Sequence, residues 1–165
     1  MRARRESEAG FTYIGLLFAV VIMGLMLTAV SRVWSVTEQR ERETQLIFVG
    51  DAIRMAIAGY YTHGHRYPQS LQDLLADDRS PTPLRYLRRL YFDPMTGAAD
   101  WTLILAPGDS GIMGIASKSK LTPIKRTGFP PIDASFEDSD CYCAWQFIYL
   151  PRGFRLTTPP ATSKP

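Results

Sequence analysis

The stretch that decides the fold lies near the N-terminus, where residues 11–30 read FTYIGLLFAVVIMGLMLTAV. These 20 residues carry no charge. As a helix they would cover roughly 30 Å, the thickness of the hydrocarbon core of a bilayer. Three arginines, Arg2, Arg4 and Arg5, precede the run, so the positive-inside rule predicts a cytoplasmic N-terminus and places the rest of the chain outside. We therefore predict a single membrane-spanning helix over residues 11–31.

A cleaved secretory signal is the main alternative for this run, because such peptides also begin with basic residues and an apolar stretch. A signal core usually has about 7–15 apolar residues, and the run here is longer. Residues 29–31, Ala-Val-Ser, still form an acceptable small-residue cleavage site. Cleavage near Ser31, which would leave a soluble secreted protein, therefore stays open as an alternative.

The junction in front of the run is more specific than its hydrophobicity. Residues 9–14 read AGFTYI, so Gly10 directly precedes the phenylalanine that opens the run, after a short polar and basic leader. This junction resembles the N-terminus of type IV prepilins and type II secretion pseudopilins. The resemblance implies that a prepilin peptidase removes residues 1–10, cuts between Gly10 and Phe11, and methylates the new amine of Phe11.

The same resemblance implies that the residues after the cut pack between subunits in a filament. In this chain that segment comprises Thr12, Tyr13, Ile14, Gly15, Leu16 and Leu17. Most family members have a glutamate at the fifth position after the cut, where this chain has Gly15. A carboxylate in lipid is costly unless a partner amine is present. The absence of this glutamate is compatible with a minor or specialised subunit.

Beyond the run, apolar residues recur at steps of three and four. They are Leu46, Val49, Ile53, Ile57 and Tyr60, which form one stripe along a helix face. No proline occurs before Pro68, so we predict one continuous helix from Phe11 to about Tyr61. Residues 32–62 are its amphipathic continuation, whose stripe needs a sheet to cover it.

The remainder, residues 63–156, is predicted to be a small globular domain of short elements separated by turns. All 12 prolines fall in the last part of the chain. We predict a short helix capped by Ser70 that ends near Asp77, and a hairpin turn over residues 107–111. The predicted strands are Trp101–Leu105, Gly111–Ala116 and Ala144–Leu150, with a fourth candidate at Phe154–Thr157. The fold class is therefore α+β, a long helix packed on an antiparallel sheet of three or four strands, and residues 157–165 form a disordered tail.

The order of features in this domain resembles the periplasmic domain of major-pseudopilin-type (GspG-like) proteins of type II secretion. The shared features are Tyr67-Pro68, a short helix, the turn Asp93-Pro94 with Gly97, and Trp101 before a strand pair. The resemblance implies the same pilin-like fold, and it also implies a calcium ion held in a C-terminal loop.

The nearest acidic residues to such a loop are Asp133, Glu137, Asp138 and Asp140. Their spacing is not that of an EF-hand, and the calcium motif of the family is not recognisable here. We expect no cofactor and name no metal ligand, with calcium in this acidic loop as the alternative.

The two cysteines, Cys141 and Cys143, are the only ones in the chain. If the domain is periplasmic they meet an oxidising compartment, which favours a small-loop disulfide between them. Two reduced or differently paired thiols are the alternative.

We predict that the protein is not an enzyme. Residues 108–111, Gly-Asp-Ser-Gly, match the nucleophile segment of chymotrypsin-class proteases, but that chemistry needs a histidine base and an aspartate on a two-barrel scaffold. The chain has only His63 and His65, and a hairpin turn accounts for the same four residues. A net charge of +3 lacks the concentrated basic character of a nucleic-acid binder.

These observations predict a pseudopilin, a structural subunit of a type II secretion pseudopilus or a related pilus-like assembly. Its expected partners are the prepilin peptidase, other pseudopilins, the inner-membrane secretion platform and membrane lipid, and not nucleic acid. Its expected location is the inner membrane, with the C-terminal domain in the periplasm. The alternative is a membrane-anchored periplasmic binding domain that does not assemble.

Overall fold

The structure is a computed structural model that describes residues 8–79, 84–108 and 110–151. Side chains are described throughout these ranges except at residues 8–12 and 27–33. Most of the predicted leader, the candidate strand Phe154–Thr157 and the tail at 157–165 therefore lie outside the described residues. The chain forms two units, Met1–Glu41 and Arg42–Pro165.

A single helix, α1, runs from Glu8 to Gly64 over 57 residues. It contains no proline, and it ends where His65 adopts a left-handed φ of 51°. The backbone N–H of His65 donates to the Tyr61 carbonyl at 2.6 Å, which satisfies one of the carbonyls left open at a helix C-terminus. The predicted continuous helix is confirmed, and it extends past Tyr61 to this turn.

In the first unit the described side chains of α1 from Tyr13 to Met26 are all exposed. Among the residues that the structure describes, no helix is both long enough and apolar enough to cross a membrane.

In the second unit the predicted stripe of α1 forms the centre of the hydrophobic core. Leu46, Val49, Ile53, Ile57 and Tyr60 are all buried. They join Trp101, Ile112, Ile115, Trp145 and Phe147 of the sheet side in one cluster. The second half of the helix therefore folds as the layer that covers the sheet.

The sheet has three antiparallel strands in the order β1-β2-β3. They are β1 (Thr102–Leu105), β2 (Ile112–Ala116) and β3 (Gln146–Ile148). Thr102 pairs with Ala116, and Gly114 pairs with Ile148. The three predicted strands and the β1–β2 hairpin are confirmed, although each strand is shorter than its apolar pattern suggested. All five residues of the central strand β2 are buried.

The short helix after Pro68 differs from its prediction. Ser70 caps it as expected, and the Asp73 carboxylate accepts hydrogen bonds from the Ser70 backbone N–H at 3.0 Å and hydroxyl at 2.6 Å. It is a 3-10 helix over Leu71–Leu74 and so stops before Asp77. Asp77 instead forms an isolated antiparallel bridge with Leu84, to whose carbonyl its N–H donates at 2.9 Å.

A long connection, residues 117–145, joins β2 to β3 and is called the β2–β3 loop below. It contains two short 3-10 helices, Pro131–Phe136 and Tyr142–Ala144. Its aromatic residues Phe136 and Tyr142 are buried in the core cluster. The loop is thus an ordered layer of the domain.

Candidate functional site

The predicted assembly segment lies near the start of α1. Gly10, Phe11 and Thr12 belong to its first turns by their backbone. Tyr13, Ile14, Leu16 and Leu17 follow, and each exposes about half or more of its side chain, from 47% at Leu17 to 63% at Tyr13. Gly15 has no other part of the chain within 4 Å of the position of a Cβ.

The exposed apolar surface continues beyond this segment to Met26. Phe18, Met23 and Leu25 are each about two-thirds exposed. Soluble monomers rarely expose a contiguous apolar surface of this extent, and such surfaces mark sites of contact with protein or membrane. The first unit therefore presents a helix surface suited to lipid or to other apolar helices.

A second feature, which sequence reasoning missed, is the anchoring of the β2–β3 loop to α1. The guanidinium of Arg54 donates from Nη1 to Asp133 Oδ1 at 2.7 Å. Asp133 is fully buried and the Arg54 side chain is 8% exposed. Arg54 also pairs with Asp51 one turn earlier on the helix. This cation thus joins the helix to a loop residue 79 positions away in sequence.

The electrostatics of this cluster affect Asp51 most clearly. Partial burial raises the pKa of Asp51 above its ordinary value, the positive charge of Arg54 opposes that rise, and the nearby carboxylate of Asp133 adds to it. The Arg54 guanidinium therefore pairs with two carboxylates. This ion-pair network holds the loop in place.

A second anchor lies nearer the start of the second unit. Glu43 is buried on α1 at 4% exposure, and its Oε1 accepts a hydrogen bond from the backbone N–H of Lys125 at 2.9 Å. An ionised acceptor makes such a bond stronger than a neutral one. The signal for both anchors was present in the sequence as charged residues flanking the apolar stripe, but their loop partners could not be assigned from it.

The turn that bears the two cysteines forms the end of the loop. The structure joins Cys141 and Cys143 by a disulfide with their Cα atoms 5.1 Å apart. Tyr142 between them is fully buried, and its ring packs edge-on against Trp145 at 5.1 Å between centroids. Backbone N–H groups of Tyr142 and Cys143 donate to the carbonyls of Leu121 and Ser119, each at 3.1 Å. The disulfide turn is therefore tied to the opposite side of the loop.

A chain of hydrogen bonds continues from there to the predicted turn at Asp93. The Ser119 N–H donates to the Ser117 hydroxyl at 3.0 Å, and that hydroxyl donates to Asp93 Oδ2 at 2.6 Å. Asp93 Oδ1 accepts from the Met95 N–H at 2.8 Å, and Gly97 has the left-handed φ of 74° that the turn requires. The predicted Asp93-Pro94 turn is confirmed, and its carboxylate also fastens the start of the loop.

The four acidic residues considered for calcium are not gathered around one point. Asp133 is engaged by Arg54, while Glu137 Oε1 accepts from the Gly128 N–H at 3.3 Å. Asp138 is exposed in a left-handed turn with a φ of 51°. Within the described ranges, no group of three or more His, Cys, Asp or Glu side chains could hold a metal ion.

At the C-terminal end of α1, Arg79 forms another cluster that sequence reasoning missed. Its Nη2 donates to the Tyr60 carbonyl at 3.1 Å, and its guanidinium carbon lies 3.5 Å from the centroid of the Tyr60 ring. It also holds the buried carboxylate of Asp77 through Nε at 2.8 Å and Nη2 at 2.7 Å. Arg79 therefore links the C-terminal end of α1 to Asp77, and its role is structural.

Comparisons with known proteins support an assignment of the chain. It is 31% identical over 128 residues to the type II secretion system core protein G of Klebsiella michiganensis, a match that covers 71% of this chain and 87% of that protein. No family model matches the chain. No solved structure matches it either.

Proposed function

The chain belongs to the family of the type II secretion system core protein G, and we propose that it is a pseudopilin, a non-enzymatic subunit that assembles with other pseudopilins to support protein export. The observation that carries this proposal is the apolar surface of α1 from Tyr13 to Met26, which is exposed in the isolated chain. Helices with such surfaces associate by packing against one another.

The proposed mechanism is mechanical. The apolar run at residues 11–30 first lies in the inner membrane and then exchanges lipid contacts for contacts with neighbouring helices in a pseudopilus. The membrane location is supported by the length of the uncharged run and by the arginines before it. The second unit then lies in the periplasm, where it supplies lateral contacts to other subunits.

We also propose that assembly requires processing by a prepilin peptidase between Gly10 and Phe11, with methylation of the Phe11 amine. Mass spectrometry of the protein from its native membrane tests this step. An N-methylated Phe11 as first residue is expected. An intact Met1 would indicate a simple membrane anchor, and a start at Arg32 would indicate a cleaved signal and a soluble protein.

Crosslinking tests assembly itself. Cys141 and Cys143 pair with each other, so a Leu17→Cys variant adds one free thiol to the exposed helix surface. We expect disulfide-linked dimers of this variant when a membrane-permeant oxidant such as copper phenanthroline is added under secretion-competent conditions. The matched control combines Leu17→Cys with Gly10→Leu, which blocks cleavage and should remove the dimers. A Leu17→Cys protein that is processed but forms no dimer would contradict assembly through this helix.

A further inference from the structure

The β2–β3 loop is the region for which the resemblance to major pseudopilins implies a calcium ion. We infer that in this protein the loop is instead held by the Cys141–Cys143 disulfide and by the ion pair between Asp133 and Arg54 of α1, and needs no divalent cation. This inference concerns the stability of the domain and does not depend on the assembly role proposed above.

The carboxylates of the loop are either paired with a cation or exposed. A calcium ion takes six to eight oxygen ligands and usually several carboxylates. Asp133 is the fully buried acid of the loop, and its counter-ion is the guanidinium of Arg54 at 2.7 Å. Its other oxygen, Oδ2, is buried and has no hydrogen-bond partner in the described part of the chain. One open oxygen beside a fixed positive charge does not provide a calcium site.

The remaining acids of the loop, Glu137, Asp138 and Asp140, are all exposed. Glu137 accepts a backbone N–H from Gly128 across the loop. Asp138 is exposed and its own N–H donates to the Arg126 carbonyl at 3.1 Å. Among the described residues, no group of three or more Asp, Glu, His or Cys side chains could hold a metal ion. The residues present therefore do not fit calcium.

Other links hold the loop at its start, its middle and its end. Its start is fixed by Ser117 on the buried Asp93 carboxylate. Its middle is fixed by Asp133 on Arg54, and its end by the disulfide turn, which buries Tyr142 between the two cysteines. A covalent link reduces the freedom of the unfolded chain, so the disulfide stabilises this loop in any solvent that contains no reductant.

The disulfide affects more of the loop than its own turn. The N–H groups of Tyr142 and Cys143 bond to Leu121 and Ser119, and Ser119 connects through Ser117 to Asp93. Release of the turn would therefore loosen both ends of the loop. Since Cys143 is exposed, a soluble reductant can reach the bond in the folded protein.

The test uses the full chain in detergent micelles, with thermal unfolding and hydrogen exchange of the loop amides as readouts. In the oxidised protein, excess EDTA and excess calcium should give the same Tm within about 1 °C, since no site exists for the ion. A phosphine reductant should lower the Tm by roughly 3–6 °C and speed exchange of the Tyr142 and Cys143 amides. The Cys141→Ser/Cys143→Ser variant should reproduce the reduced protein.

A matched variant distinguishes a loop held by the disulfide and the ion pair from a loop held by calcium. Glu137→Gln/Asp138→Asn/Asp140→Asn removes three loop charges and leaves Arg54, Asp133 and the cysteines in place, so its Tm should stay near that of the parent with and without calcium. The inference is overturned if calcium raises the Tm of the oxidised parent by several degrees, and loss of that effect in the triple variant would assign the ion to these three acids. It is equally overturned if reduction leaves both the Tm and the loop exchange unchanged. Because reduction is carried out on the folded parent, the test stands even if the serine variant fails to fold.

Discussion

At the scale of single residues, Gly50 shows how closely α1 approaches the sheet. A Cβ at this position would lie 2.5 Å from ring carbons of Phe147 on β3, a distance that no side chain can adopt without movement. Glycine in a helix costs about 1 kcal/mol relative to alanine. The fully buried ring of Phe147 occupies the space that a Cβ at Gly50 would need. This close contact explains why a glycine lies within the helix despite its cost.

We therefore predict that Gly50→Ala destabilises the domain although alanine is the better helix former. Overpacking costs about 1–3 kcal/mol, which exceeds the gain in helix propensity, and urea unfolding followed by circular dichroism should report a net loss of about 1–2 kcal/mol. Adding Phe147→Leu to Gly50→Ala should recover part of this loss relative to Phe147→Leu alone. A stabilised Gly50→Ala protein would show that the helix and the ring are farther apart than the structure places them.

Asp77 provides a prediction about pH. Its carboxylate is buried, and the hydrogen bonds from Arg79 lower its pKa below the ordinary value of 3.8, an effect larger than the opposing effect of burial. The Tyr86 hydroxyl donates to the same carboxylate at 3.1 Å and lowers the pKa further. The ionised form is therefore favoured in the folded protein more than in the unfolded chain.

Because the folded pKa is the lower one, this contribution to stability is complete above the unfolded pKa of about 4 and is lost as the pH falls below it toward the folded value. We predict that Asp77→Asn costs about 3 kcal/mol at pH 7, since it leaves Arg79 without its buried partner. Carboxylates titrate between about pH 5 and pH 2. Over this range the free energy of unfolding should fall less for the variant than for the parent.

Urea unfolding at several pH values measures both effects. The control is Asp78→Asn, which removes the same charge from an exposed neighbour and should change stability by less than about 0.5 kcal/mol. Equal acid profiles for Asp77→Asn and the parent would rule out this carboxylate as a source of the pH dependence.

At the scale of elements, the two faces of α1 in the second unit have different roles. Ile57 is fully buried on the face that covers the sheet, whereas Met55 is 73% exposed on the opposite face. We predict that Ile57→Ala costs about 2–5 kcal/mol because it leaves a cavity in the core. Met55→Ala should cost less than about 0.5 kcal/mol. Denaturant unfolding of both variants makes the comparison, and equal losses would mean that the helix packs by another face.

The elements that could be predicted from the sequence are those specified by local patterns. The stripe through Leu46 and Ile57 identifies the buried face of α1 by its period, and the Gly108 turn between two apolar runs identifies the β1–β2 hairpin. The Ser70 cap was also recognisable, but the helix after it ends at Leu74, and Asp77 forms a bridge with Leu84 instead of continuing it.

The β2–β3 loop could not be predicted because its links join residues far apart in sequence. Arg54 and Asp133 are 79 positions apart, and Glu43 and Lys125 are 82 apart. A charged residue beside an apolar stripe is equally compatible with a solvated position, and only the folded chain shows which loop group reaches it. From the sequence, Asp133 belonged to an acidic cluster that left calcium open as an alternative, and its pairing with Arg54 is seen only in the structure.

At the scale of the whole molecule, the family could be predicted from the N-terminal junction and from the order of turns in residues 63–156, and the comparison with core protein G supports that family. The processing site at Gly10 and Phe11 stays a prediction. So does the membrane role of residues 11–31, which depends on their sequence alone.

That membrane role leads to the last prediction, Val20→Arg/Val21→Arg, which places two charges at the centre of the apolar run. Each central arginine costs about 2.5–3.5 kcal/mol of insertion free energy, so the pair costs about 5–7 kcal/mol. We expect the parent to stay in the membrane pellet after alkaline carbonate extraction and the variant to be released into the supernatant. The control Val36→Arg lies beyond the run on the same helix and should stay in the pellet, since a charge there meets water or headgroups. If the parent itself is extracted, residues 11–31 do not anchor the protein, and pseudopilus assembly would have to begin from a soluble subunit.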